Sequence, residues 1–414
     1  MFYFVIQTSR TTHYMKKVNV LILIIIASFM LCCSLEKKTS DSLSCIDVRK
    51  SYPEKEIILT DIADVTYVHL NTDDDYLYKG GSFTYITENS IVVCDISSGS
   101  ILFFSKDGTP KSRFNRRGAG PEEYTSNMID VFYYDEPADD VYIGANGNRI
   151  IQVYSSTGKH KRTLKLPQGT KINEIVEFDS QSLIVFDQQL MWKKNLSGTD
   201  FSAPQIDSSY FRISKTDGEI VDYIEFPGNE IDLSIRSNMV HNMTMLKRLS
   251  KCTAGVILCN HESDTVFLYD KDSSLTPLFC KTPLISDLDE KVILNNYIEI
   301  GSCQYMSIQT LLPFEERAKD VLIKSHKFYM RDKQTGEIYL QKITLPDYKG
   351  YNDVISSLRN KTYDEKETLL CYELDLFELK KAYKENRLSG KLKELVATLD
   401  EMNDNNVLMF VLFR

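Results

Sequence analysis

A chain of 414 residues could form two average domains, but a large β-sheet closed into one ring reaches the same length. Its 43% apolar content can supply a core, and its 26% charged content argues against disorder. A formal net charge of -9 without any long Lys/Arg block argues against nucleic acid as a partner, since such binding rests on neutralising phosphates. Tyr (24) and Phe (20) far outnumber Trp (1), and with the many Val-Ile-Leu runs this favours strands.

Residues 1–33 read as an export signal. Met15-Lys16-Lys17 and the apolar stretch Leu21–Cys33 supply a charged leader and a short hydrophobic region, and Met15 is the expected start. The stretch is too short to span a bilayer comfortably. It ends in Leu31-Cys32-Cys33-Ser34, which resembles the lipobox at which bacterial lipoproteins are cut and acylated on a new N-terminal Cys. Cys33 is the expected attachment point, because Cys32 then supplies the small residue before the cut; Cys32 is the alternative, and a plain secretory signal with two incidental cysteines is the simpler reading. Residues 34–50 read as a flexible tether, polar from Glu36 to Ser44. Beyond Ser44, the seven cysteines Cys45, Cys94, Cys252, Cys259, Cys280, Cys303 and Cys371 form neither a zinc spacing nor a disulfide framework, and buried small hydrophobes are their expected role.

Residues 51–414 read as one domain built from a repeat. Ile91-Val92-Val93-Cys94-Asp95 aligns with Val256-Ile257-Leu258-Cys259-Asn260, and Ile101–Gly108 with Val266–Ser273, without a gap. A third copy runs through Val141–Gly144 and Ile150–Gly158. Each copy is strand, bend, strand, turn, and each closing turn ends in Gly or a small polar residue: Gly108, Gly158, Gly218, Ser273 and Gly336. A period of roughly 50 to 60 residues suits one four-stranded antiparallel blade of a β-propeller. Blades are expected over Ser82–Arg117, Met128–Pro167, Ile172–Pro227, Met243–Pro283 and Cys303–Pro346. A sixth must close the ring, because an open stack exposes edge strands. Both chain ends are expected to build it, through Ile57-Ile58-Leu59, Val65–Leu70 and Val407–Phe413. Between Leu374 and Met402 the apolar spacing turns helical and breaks at Ser389-Gly390, which predicts a helical insertion before the closing strand.

Arg116-Arg117-Gly118-Ala119-Gly120-Pro121-Glu122-Glu123-Tyr124 resembles the Arg-Gly-x-Gly-Pro-x-Glu-Tyr signature of six-bladed β-propeller lipoproteins of Gram-negative gut bacteria. Tyr67-Val68-His69-Leu70-Asn71-Thr72 stands where that family has "I-P-L-E-T", and Asn405-Asn406-Val407-Leu408 where it has "N-P-V-L". His69, Asn71 and Asn406 depart from the pattern. The resemblance covers essentially the whole mature chain and implies a six-bladed propeller on a lipid anchor, with no ligand attached to it.

The candidate binding residues are Arg116, Arg117, Glu122, Glu123 and Tyr124, on a loop that must cross one face of the ring. A guanidinium pair there could grip a carboxylate or phosphate; alternatively the loop is a connector, with the arginines paired to Glu122 or Glu123 and Tyr124 packed beneath. Catalytic signatures are missing from the sequence: no HxH or HExxH spacing, no GxSxG elbow, no phosphate-binding Gly loop. Asp130, Glu174 and Glu177 lie near predicted inner strands but have no distinguishing spacing, and Asp73-Asp74-Asp75 lacks the ligand pattern of a calcium loop. Neither a catalytic residue nor a cofactor or metal is expected. The sequence points to a monomeric, lipid-anchored module of the cell envelope that binds a glycan, peptide or protein; the alternative is a hydrolase or lyase with a metal in the central channel.

Overall fold

The computed structural model describes residues 43–72, 75–78, 83–124, 129–145, 150–167, 170–187, 208–227, 248–260, 263–312, 323–351 and 369–414. The lipobox cysteines, Cys32 and Cys33, lie outside them. From Cys45 the described chain forms a six-bladed β-propeller. Blade one holds Phe83–Ile86, Ser90–Asp95, Ser100–Ser105 and Pro110–Asn115. Blade two holds Ile129–Asp135, Asp140–Ala145, Ile150–Tyr154 and His160–Lys165, and blade three Ile172–Glu177, Ser182–Asp187, Tyr210–Ser214 and Ile220–Ile224. Blade four holds Leu249–Cys252, Gly255–Leu258, Thr265–Asp270 and Leu275–Thr282, and blade five Val292–Ile300, Cys303–Leu311, Ile323–Asp332 and Ile338–Thr344. Among the described residues blade six has three strands, Leu369–Leu374, Val407–Phe413 and Ala63–His69.

Each blade buries both faces, so its central strands are continuous apolar runs rather than alternating ones. In Ser90–Asp95, Val92 packs with Phe132 and Val141 of blade two, while Ile91 and Val93 pack with Leu408 and Phe410 of blade six. The other seams repeat this: Tyr142 and Val153 meet Leu183 and Phe211; Ile184 and Phe186 meet Val256 and Tyr269; Ile257 and Phe279 meet Leu294 and Tyr329; Tyr305 and Met330 meet Leu370 and Tyr372. Six seams therefore run round a closed circle. The expected closure is present, with Val407–Phe413 antiparallel to Ala63–His69 and Phe410 opposite Thr66. Helices α1 (Leu376–Lys384) and α2 (Gly390–Thr398) form the predicted insertion. Asp375 caps α1 by accepting from the Glu378 N–H at 2.9 Å, and Leu379, Leu392 and Val396 pack into the seam between blades five and six.

Four details differ from the sequence reading. Ile57 and Ile58 belong to blade five, where Glu54–Ile58 pairs in parallel with Ile338–Thr344; one helical turn, Leu59–Ile62, then steps the chain to blade six. The tether read over residues 34–50 ends earlier, because Ser44–Asp47 is a strand on the outer edge of blade four. Cys45 and Cys280 form a disulfide that fixes this strand, while Cys94, Cys259 and Cys371 are buried thiols as expected. Blade five starts at Val292 rather than Cys303, since a β-bulge between Leu294 and Asn296 breaks the apolar pattern of its first strand. The N-terminal segment is thus a belt crossing the outer edges of blades four, five and six in turn.

The closing turns of the repeat have a second use. Gly108, Gly158, Gly218, Ser273 and Gly336 all have positive φ. The first three also seat against the outermost strand of the preceding blade. A Cβ on Gly108 would lie 2.1 Å from the His69 carbonyl oxygen, and one on Gly158 2.5 Å from Phe114 Cβ. The turn carbonyls accept hydrogen bonds from that neighbour: Asn71 N–H to Gly108 O at 2.9 Å, Lys165 N–H to Asp217 O at 2.8 Å. Gly158→Ala is expected to lose about 1–2 kcal/mol from its left-handed backbone and a further ~1–3 kcal/mol from overpacking. Urea unfolding checks this, and a change within about 0.5 kcal/mol contradicts the packing described.

Candidate functional site

Strands alternate in direction within each antiparallel blade, so second-to-third loops and blade-to-blade connectors leave one face of the ring, and the remaining turns leave the other. The second set is tight throughout blades one to five, as in residues 87–89, 155–159 and 301–302. The first set includes the long connections 116–128, 188–209, 225–248 and 345–368. Loops are where a rigid scaffold carries variation, so this long-loop face is the candidate functional face.

The loop from Arg116 to Tyr124 is on that face and is largely committed to its own shape. The Tyr124 ring is buried; its hydroxyl donates to the Gly99 carbonyl at 2.6 Å and accepts from the Arg116 N–H at 2.9 Å. The Glu123 carboxylate turns inward to accept from the Gly120 N–H at 2.8 Å. It occupies the space a side chain on Gly118 would need, whose Cβ would fall 1.9 Å from Glu123 Oε2. Blade two holds the far side of the loop, Gln152 Nε2 donating to Pro121 O at 3.0 Å and the Tyr154 hydroxyl to Glu122 O at 2.8 Å.

The arginines bond carbonyls rather than Glu122 or Glu123. Arg116 Nε donates to Gly158 O at 2.9 Å, a side-chain form of the staple seen at Gly108 and Asp217, and Arg117 Nη1 donates to Ser97 O at 3.0 Å. Glu122 stays exposed, 3.6 Å from His160 Nδ1 at its nearest oxygen. Gln152 and Tyr154 escaped sequence reasoning because their partners are backbone carbonyls of a loop some thirty residues away.

The other quoted segments meet at the closing blade. Asn405 is buried and makes three hydrogen bonds to the start of the chain: Nδ2 to the carbonyls of Leu70 (3.2 Å) and Tyr76 (3.0 Å), and Oδ1 from the Tyr78 N–H (3.0 Å). Asn406 Nδ2 donates to Glu373 at 2.8 Å, and its Oδ1 accepts from the Leu376 N–H at the start of α1. His69 Nε2 lies 3.2 Å from Asp404 Oδ1. Burial lowers the His69 pKa more than Asp404 raises it, leaving it below its ordinary value of 6.5.

The acids considered for a channel metal do not converge. Glu174 and Glu177 stand three residues apart on one strand, Ile172–Glu177, and bond different partners. Glu174 accepts from the N–H groups of Arg248 (2.7 Å) and Leu249 (3.0 Å), fixing the start of blade four. Glu177 joins blades three and four through Lys215 and Lys251, both at 2.7 Å, and Lys215 reaches Asp135 of blade two at 2.8 Å. Burial opposes its ionisation, yet the two lysines hold its carboxyl below the ordinary value. Asp73, Asp74 and the Asp130 side chain lie outside the described residues, and Asp75 pairs with Arg113 at 2.6 Å. Among the described residues no three His, Cys, Asp or Glu side chains are grouped as metal ligands.

This architecture defines a six-bladed β-propeller whose blades one to five carry their long connections on one face. Residues 43–412 match the family described as Domain of unknown function (DUF4934), and the chain belongs to that family. Among solved structures it is similar to a Bacteroides fragilis protein assigned as exported, at 15% identity and a TM-score of 0.58, covering 88% of this chain and 100% of the other. It is also similar to a DUF4221 family member from Bacteroides vulgatus, at 10% identity and a TM-score of 0.47, covering 85% and 97%. No curated protein matches the sequence.

Tyr124→Phe strands the Gly99 carbonyl and the Arg116 N–H, and a loss of about 1–3 kcal/mol is expected; equal denaturation midpoints for the two proteins would remove this role. A second expectation concerns pH. His69 has a lower pKa folded than unfolded, so the unfolded chain takes up the proton first; its contribution is full above pH 6.5 and declines as pH falls below that value. His69→Gln should flatten the fall in thermal midpoint between about pH 6.5 and 5, and an unchanged slope contradicts it.

Proposed function

We propose that the protein is a lipid-anchored binding module of the cell envelope, attached through Cys33 or, failing that, Cys32, and presenting its long-loop face to a glycan, peptide or protein. The observation that carries this reading is the division between the faces in blades one to five: tight turns on one, long connections on the other, over a ring whose quoted sequence signatures serve closure and stapling. A rigid ring with one variable face suits capture. The Cys45–Cys280 disulfide supports an extracytoplasmic location, because such bonds persist in oxidising compartments. The structural relative assigned as exported supports the same location.

Within the loop, Glu122 and the outward edges of Arg116 and Arg117 are the groups offered to a charged ligand, while Glu123 and Tyr124 hold the loop in shape. Cell fractionation with mass spectrometry of the mature N-terminus tests the anchor: a diacylglyceryl Cys33 in the membrane fraction, released by Cys33→Ser, is expected. Arrays of glycans and peptides probed with the intact protein test capture, with Glu122→Ala weakening a charged ligand at unchanged stability. Cytoplasmic protein with Cys45 and Cys280 as free thiols would defeat the reading.

A further inference from the structure

The seam between blades five and six changes character along its length. On the face of blade five turned to blade six, the cross-strand row Ile298, Tyr305, Met330 is apolar and packs on blade six. The next two rows on that face are Asn296, Ser307, Phe328 and Ile293, Gln309, His326. They lie toward the long-loop end, because Val292–Ile300 starts there and Cys303–Leu311 finishes there. Asn296, Ser307 and Gln309 are buried.

Much of the hydrogen-bonding capacity of this region is unused. Asn295, the extra residue of the bulge, is 3% exposed, and neither its Oδ1 nor its Nδ2 has a partner. His326 Nε2 and Gln341 Oε1 are likewise buried without partners, Gln341 lying two residues beyond Tyr339, which pairs with Met330. Among the described residues Asn296 reaches only Ser307 Oγ, at 3.4 Å. Gln152 of blade two shows the contrast: it too is buried, but bonds Thr163, His160 and the Pro121 carbonyl. Buried amides are ordinarily paired, so a cluster that leaves donors and acceptors open has the capacity to bond a partner outside the chain.

The chemistry of that partner can be narrowed. These rows hold amides, a hydroxyl and an imidazole but no formally charged side chain, which disfavours carboxylate, phosphate or metal. Phe328 stands beside His326, ring centroids 4.3 Å apart, so an aromatic surface adjoins the polar groups. A group with an apolar face and a rim of donor-acceptor hydroxyls fits this set.

We infer that the polar half of this seam is a subsite for a neutral saccharide, Asn295, Gln309 and His326 bonding its hydroxyls and Phe328 meeting its C–H face. This rests on the reading of the protein as a binding module and names a ligand class for its long-loop face. A polar group left open for a ligand costs stability when that ligand is absent. Asn295→Leu and His326→Phe should therefore keep or raise the thermal midpoint of the ligand-free protein while weakening saccharide binding by at least about tenfold.

The test titrates the intact protein with methyl glucoside, methyl galactoside, methyl mannoside and N-acetylglucosamine, following the thermal midpoint and the His326 ring resonances. One of these raising the midpoint and moving those resonances, with both effects lost in the two variants, supports the subsite. No response to any of the four, a lower midpoint in the ligand-free variants, or a crystal grown with the sugar that shows ordered water alone at Asn295 would overturn it. Binding that survives both variants overturns the subsite and leaves the binding-module reading standing. A peptide bound in place of a sugar does the same.

Discussion

Each blade is apolar on both faces, and a sheet of that kind is stable only between two neighbours. Five blades can satisfy one another in a row, but the outer faces of the first and last stay in water until the row becomes a circle. The antiparallel pairing of Val407–Phe413 with Ala63–His69 is what makes the circle. Leu408 and Phe410 then meet Ile91, Leu102 and Phe104 of blade one. A fully buried side chain of this size contributes about 1.5–3 kcal/mol, so closure brings in a whole seam.

That dependence explains where the polar groups are used. Asn405 ties residues 70–78 to the strand that closes the ring, bridging more than three hundred positions of sequence. The belt continues the same task outside the sheets: Ser44–Asp47, fixed by the Cys45–Cys280 bond, and Glu54–Ile58 cover the outer edges of blades four and five before the chain reaches blade six. The covering strands are also shorter than the edges they cover, which leaves smaller templates for pairing with other chains. At the face of tight turns, Lys215 pairs with Asp135 and Glu177, and Glu177 with Lys251, which links blades two, three and four. A charge so placed is hard to lose, since removing one partner leaves the others buried and unpaired.

The fold was legible because its strongest signals are local and repeated. The apolar runs around Ile91, Val141 and Val256 and the turns ending at Gly108, Gly158 and Gly218 recur at a fixed spacing, and the closing strand announced itself as an apolar run at the terminus. What escaped was whatever depends on a partner distant in sequence. No spacing rule links Cys45 to Cys280, which are 235 residues apart. Ile57 and Ile58 look like any short strand, and only the ring decides which blade takes them. The loop signature at Arg116 allows a connector with Tyr124 packed beneath, which the structure has, but the sequence could not show that the arginines bond the carbonyls of Gly158 and Ser97 instead of Glu122 or Glu123. Asn295 and Asn296 interrupt the apolar pattern of blade five's first strand, which hides its start at Val292 from a sequence reading; in the structure that interruption is a bulge in the strand.

The same interruption bears on how the ring tolerates a polar seam. Replacing apolar rows by Asn296, Ser307, Gln309 and His326 removes part of the contact that blade five would otherwise make with blade six. This is also the seam into which α1 and α2 insert Leu379, Leu392 and Val396, and to which the belt adds Ile57 and Leu59. No other seam receives helices among the described residues. Stability in a closed ring is limited by its weakest joint, so apolar material added at one joint offsets polar material placed there. The helices and the belt add apolar contact to the same seam, alongside its apolar row. Their position makes the polar rows a feature the fold accommodates at a specific place, rather than a defect spread through the core.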